Sequence, residues 1–212
     1  MDEKGGLVRS LKHHNFKGAV NESIQIVGED AGVRLIPVGD WILGYSDLIL
    51  TMCEWRQQSS RNFFARFPSS IGSMREYLLS HSIRQNETIL FVIHSESDGF
   101  QGHLGLSSIT KTSAEIDAVM LSPRLRGQGL FLRALFTLVN WARRHLNTTE
   151  FVLDVLSSNE AAIGLYSRLG FKIESLTPLK EVTEGSNIQL TDCSFSERDT
   201  DLWRISMVMR TP

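Results

Sequence analysis

The period of the hydrophobic positions changes along the chain, and the changes mark its elements. Residues 1–30 are polar and weakly patterned, predicting an N-terminal arm that is only partly ordered, with a candidate strand over 24–27. Residues 33–38 are apolar enough for a first strand, ended by Pro37 and Gly39. Ser46 and Asp47 stand where a helix cap is expected, and Leu48, Met52 and Trp55 then share one face of a helix reaching Gln58. Met74, Tyr77, Leu78 and Ile83 predict a second helix over 73–84. Thr88 to His94 is a nearly continuous apolar run, the pattern of a strand covered on both faces. A turn at 95–99 leads into strands over 102–109 and 114–121. Phe131, Leu135, Leu138 and Ala142 form the stripe of a long amphipathic helix over 129–145. A buried strand over 151–156 and a helix over 158–169 follow, with Gly170 placed for a left-handed C-cap. Short strands at 171–173 and 202–209 close the chain across a polar stretch, 177–200, that predicts a long loop.

This order predicts an α/β fold around a mixed, mostly antiparallel sheet, with about seven strands and about four helices. Residues 31–212 form its single domain. Three consecutive strands without crossover helices exclude a doubly wound dinucleotide fold. At 212 residues the chain is long enough to bury a core unaided. Lysine and arginine number 22 against 24 acids, so no chain-wide basic field invites nucleic acid. Two cysteines, Cys53 and Cys193, fit a reduced compartment. No apolar h-region follows Met1, and the longest apolar stretch, 41–53, is too short to span a bilayer. A cytoplasmic protein without a membrane partner is the expectation. His13 and His14 lack further ligands at metal spacing, so no metal is expected.

Two segments carry chemistry. In Leu121-Ser122-Pro123-Arg124-Leu125-Arg126-Gly127-Gln128-Gly129-Leu130 a strand runs through a glycine-rich turn straight into the long helix. Glycines admit close backbone approach, and a helix start offers unpaired N–H groups to an anion. No Gly-Lys-Ser/Thr follows, and Leu132 stands where a Rossmann fingerprint needs a third glycine. A plain strand-to-helix turn is the competing reading. In the second segment, residues 157–171, Ser157 and Glu160 have capping-box spacing. Asn159 and Tyr166 lie two helical turns apart on one stripe, placed either to share a ligand or, for Tyr166, to fill the core.

Together these segments resemble the GNAT superfamily of N-acetyltransferases. Arg124-x-x-Gly127-x-Gly129 matches its acetyl-CoA signature. Asn159, Ala162, Leu165, Tyr166, Arg168, Gly170 and Phe171 match its later motif. The resemblance implies a sheet splayed in the middle, with acetyl-CoA as co-substrate. Backbone amides of Arg126, Gly127, Gln128, Gly129, Leu130 and Phe131 would hold the pyrophosphate. The edge of Val119, Met120 and Leu121 would pair with the pantetheine, Asn159 would touch it, and Tyr166 would serve the leaving sulfur. The amine attacks the thioester directly, so it must first lose the proton that an alkylammonium of pKa about 10 carries. Glu115 and Asp117, two apart on one strand face, are the candidate bases, with Glu115 slightly preferred and a solvated edge pair as the alternative. His103 could face the acceptor or be structural. Trp55 and Arg56 could grip the acceptor, or be core and solvated respectively. Softer likenesses at 86–91, 102–106 and 114–117 suggest a role in bacterial surface-polysaccharide and amino-sugar pathways. The acceptor would then be a small-molecule primary amine, an amino sugar in nucleotide-linked form among the options. A peptide N-terminus and a non-catalytic acyl-CoA-binding module remain as alternatives, and a homodimer stays open.

Overall fold

The structure, a computed structural model, describes residues 3–29, 32–125, 127 and 129–210. The elements in chain order are α1 (Glu3–Ser10), α2 (Phe16–Asn21), β1 (Ile24–Gln25), β2 (Val33–Pro37), α3 (Ser46–Gln58), β3 (Ala65–Arg66), α4 (Ile71–Tyr77), β4 (Ile89–Ser95), β5 (Gly99–Ser107), β6 (Ser113–Leu121), α5 (Leu130–His145), β7 (Glu150–Leu156), α6 (Glu160–Leu169), β8 (Lys172–Glu184), β9 (Asn187–Asp192) and β10 (Trp203–Arg210). The strands join in the order β1-β2-β4-β5-β6-β7-β10-β8-β9-β3. The α/β class and the mixed, mostly antiparallel sheet are as expected. Ten strands and six α-helices among the described residues exceed the expected counts.

The sheet is covered on both faces over its first half. Phe91, Leu104, Ile116 and Phe151 pack under α5 with Leu135 and Leu138. Leu90 and Val92 face the other way, onto Ile49 and Met52 of α3. Alternate residues of β4 therefore serve both cores, which is why its sequence is continuously apolar. No helix among the described residues is long and apolar enough to cross a membrane.

Four local expectations are revised. Residues 3–29 carry two short helices and a strand, and they contribute Val8 and Ile26 to the core. Each element buries so few side chains that the segment looks unpatterned. The N-cap of α3 is Tyr45 without a side-chain bond, rather than Ser46. The second helix begins behind a Ser70–Ser73 capping box and becomes π-wound over Leu78–Ile83. The polar stretch 177–200 is mostly a hairpin of β8 and β9, turning at Gly185 with φ +61°. Only one face of that hairpin is covered, where Leu179 and Leu190 meet Leu156. Its sequence is accordingly polar, and a left-handed glycine suits its tight turn.

Candidate active site

β6 ends at Leu121 and passes through a 3-10 turn, Pro123–Leu125, into the start of α5. Gly127 and Gly129 take φ +82° and +78°, a left-handed backbone that glycine adopts without steric cost. A Cβ on Gly127 would meet nothing within 4 Å, so the face of the turn is open. Gly129 is the N-cap of α5 and supplies no side-chain bond, which leaves the first N–H groups of a sixteen-residue helix without a side-chain cap. Leu130 is buried and Phe131 packs partly against the same core, anchoring the helix start. Arg124 lies exposed on the turn. Arg126 and Gln128 lie outside the described residues. The sequence reading missed Arg133. Its side chain folds back along the helix, so that Nη1 lies 3.1 Å from where a Gly129 Cβ would stand, and it pairs with Glu29.

β6 and β7 run parallel but pair only at Ser113↔Glu150, Ala114↔Phe151 and Glu115↔Val152. Beyond Glu115 the strands part, while β6 stays paired to β5 as far as Leu121 and β7 to β10 along its whole length. The facing edges, including Val119, Met120 and Leu121, are thus open to an extended ligand. Asn159 caps α6 at the far side of this opening, its Oδ1 accepting from the Ala162 N–H at 3.4 Å. The capping role expected of Ser157 falls to Asn159, and Ser157 Oγ instead accepts from the Trp203 N–H.

A bulge in β6 arranges the side chains. His103 pairs with Met120 and Gly105 with Asp117, so β6 carries one extra residue, and Ala118 has φ +51°. Up to the bulge, Ala114 and Ile116 face α5. After it Val119 and Leu121 do so, reversing the alternation. His103 Nδ1 donates to the Ala118 carbonyl at 2.6 Å, and burial pushes the ring's pKa down to about 4, so His103 is neutral. It is a strut of the bulge.

Glu115 accepts from the hydroxyls of Ser107 and Ser108 at 3.2 Å each, and burial, then Asp117, raises its pKa. Asp117 is exposed at the parting of the strands, with Oδ1 accepting from the Ala118 N–H at 2.6 Å. Three further side chains come within its field. Tyr166 is 6% exposed, packs edge-on against Phe171, and has its pKa raised by burial and then by Asp117. Among the described residues its hydroxyl has no hydrogen-bond partner. Tyr77, which the sequence reading took as merely apolar, is pushed up to about 12 by burial and then Asp117. Arg56 feels Tyr77 and Asp117, lies between the rings of Phe63 and Phe67 at 4.5 and 4.6 Å, and donates to the Ala65 carbonyl at 3.2 Å. A tyrosine at helical spacing looks the same whether it fills a core or borders a site, so no local signal marked Tyr77.

Trp55 and Arg56, adjacent in sequence, diverge. Trp55 joins Glu54 and Gln58 in lining a cleft of about 490 Å³ closed by Gln101, Ser122 and Arg124. Arg56 faces Asp117. Helix geometry rotates neighbours by about 100°, so a pair read as one gripping unit serves two surfaces. Among the described residues, no group of three or more His, Cys, Asp or Glu side chains could hold a metal ion.

Comparison with known proteins bears on what this arrangement is. Residues 49–171 match the Acetyltransferase (GNAT) family. An N-acetyltransferase 9-like protein of Nematostella vectensis is 34% identical over 99 residues, 46% of this chain and 48% of that protein, so the chain spans about half the length of this curated relative. Among solved structures, a spermidine N-acetyltransferase of Vibrio cholerae, in complex with CoA and spermine, superposes with TM-score 0.63 at 19% identity, covering 86% of this chain and 97% of that one. A probable GNAT-family acetyltransferase of Chromobacterium violaceum gives TM-score 0.66 at 20% identity over 89% and 85%. These likenesses establish the fold, and the family match spans more than half the chain, from α3 to the end of the α6 motif. The chain belongs to the acetyltransferase (GNAT) family.

Proposed function

We propose that this chain is an acetyl-CoA-dependent N-acetyltransferase that passes acetyl directly to a primary amine of a small molecule. The observation that carries the reading is the parting of β6 and β7 beyond Glu115↔Val152, beside the open left-handed turn at Gly127 and Gly129. An extended amide-bearing arm fits the free strand edges, and a pyrophosphate fits the start of α5. The solved neighbour that holds CoA supports the same choice. Acetyl-CoA supplies the activated acyl group. Asp117 takes the amine's proton, being the carboxylate exposed where the strands part. Glu115 is engaged by two serine hydroxyls and steadies the strand, reversing the order of preference set by the sequence. Tyr166 presents a hydroxyl that has no hydrogen-bond partner among the described residues, and it gives its proton to the departing sulfur. Asn159 keeps its amide N–H groups for the pantetheine while its oxygen caps α6.

The acceptor in this proposal is an amino sugar, carried in nucleotide-linked form. Glu54, Gln58, Gln101 and the Trp55 indole offer donors and acceptors together along one cleft, a combination suited to hydroxyl groups. Free-CoA release is measured against a panel of amino sugars, their nucleotide conjugates, diamines and peptides. Turnover strongest on the amino sugars supports this acceptor. A peptide or diamine used better than every sugar overturns it, and no CoA release with any amine overturns the enzyme reading.

A further inference from the structure

We propose that a proton exit path leads from Asp117 through the π-wound end of the second helix, by way of one cavity water held by Ser82, to His81 at the surface. It rests on the acetyl-transfer reading above, and it assigns Ser82 and His81 roles that neither motif nor comparison gives them.

The need for such a path comes from proton balance. An alkylammonium acceptor loses two protons in becoming an amide. As the N–C bond forms and the C–S bond breaks, the sulfur takes one proton, supplied through Tyr166. The other must reach bulk water in every turnover. Asp117 is exposed, and an acceptor that hands its proton to that carboxylate covers it. The narrow cavity that Asp117 also lines offers a second route.

Asp117, Tyr77, Ser82, His81 and Thr88 line a narrow cavity of about 10 Å³, the space that one water needs. Ser82 is 3% exposed, and its Oγ is buried without a hydrogen-bond partner among the described residues. A buried hydroxyl left this way costs free energy unless a water or ligand meets it. His81 is exposed, stacks on the Tyr77 ring with centroids 5.0 Å apart, and approaches the Ser80 hydroxyl at 2.8 Å through Nδ1. It therefore joins the cavity to solvent.

The winding explains why these groups converge. In an α-helix, residue i+5 lies about 140° around the axis from residue i, so Ser82 would point away from Tyr77. The turn is instead closed by a bond from the Arg84 N–H to the Leu79 carbonyl, five residues back. That wider winding brings positions 77, 81 and 82 onto one cavity, the kind of local departure that recurs at functional sites. The end of the turn is pinned by Lys12, whose Nζ donates to the Ser82 and Gln85 carbonyls. The charged and titratable groups around the path are Asp117 and Glu115 on β6, Arg56 on α3, His103 on β5, Tyr77 and His81 on the helix itself, Tyr166 on α6, and Lys12.

The test uses the full chain, its best amine acceptor, and single-turnover amide formation, so that product release does not mask the proton step. His81→Ala should slow the reaction about tenfold in dilute buffer. Added imidazole should restore most of that loss, since a small base can take over at the surface. Ser82→Ala should be slower still and unrescued, because the break lies inside the protein. The double variant should be no slower than Ser82→Ala, as expected for one linear path. Should Ser82→Ala fail to fold, the exposed His81 variant and its rescue decide the matter alone. Both variants at the wild-type rate from pH 6 to 9 would overturn the path, as would a His81→Ala loss that imidazole leaves unchanged. A wild-type chain that acetylates no amine would overturn the underlying acetyl-transfer reading instead.

Discussion

Replacing Tyr166 with phenylalanine separates chemistry from packing, because the structure gives its ring and hydroxyl different work. The ring is 6% exposed and meets Phe171 edge-on at 5.9 Å, contacts that phenylalanine keeps. The hydroxyl has no hydrogen-bond partner among the described residues, so the substitution forfeits none. The unfolding free energy should therefore stay within about 1 kcal/mol of wild type, a shift of no more than about 4 °C in Tm for a chain of this size. Calorimetric affinity for acetyl-CoA should change little, since the hydroxyl is needed when charge develops on the sulfur. Single-turnover acetyl transfer should fall about 10- to 100-fold, or about 1.4 to 2.7 kcal/mol of transition-state stabilisation. A loss in Kd as large as the loss in rate would make Tyr166 a binding or packing residue. An unchanged rate, with chemistry limiting, would refute the assignment outright.

Gly127→Val should weaken acetyl-CoA binding at least about tenfold by calorimetry, because the left-handed backbone costs an L-residue about 1–2 kcal/mol and the side chain enters the open face of the turn; wild-type affinity would make the turn purely structural. His103, with its pKa lowered to about 4 by burial, opposes protonation in the folded state, so its stabilising effect is full above about pH 6.5 and is lost as pH falls toward 4. His103→Gln keeps a donor for the Ala118 carbonyl and should flatten that loss, about 3 kcal/mol at its largest, in urea titrations at pH 7 and pH 4.5. Arg56→Ala should raise KM for the acceptor several-fold while leaving KM for acetyl-CoA nearly unchanged, since Arg56 holds Phe63, Phe67 and the β3 backbone beside Asp117. A rise in KM for acetyl-CoA instead would place Arg56 on the cofactor side.

What the sequence determined by itself was whatever depends on neighbours along the chain. The stripe of α5, the doubly apolar β4 and the glycine turn at 127–129 are local patterns, and each lies where its period and turn chemistry put it. Hence the α/β class and the family were legible. The tertiary structure decided the rest, where contact partners are distant and each element buries little. Val8 and Ile26 reach the core through packing that a polar arm does not advertise. The β8–β9 hairpin conceals a single covered face within a polar run. Glu115 and Asp117 look equivalent in period, yet Ser107 and Ser108 engage the first, and the β6–β7 pairing ends before the second. Tyr77 and Ser82 meet Asp117 only because a helix widens by one residue, and Trp55 and Arg56 part because a helix turns. Periodicity specifies which side of an element a residue occupies; only the assembled sheet specifies what stands opposite it.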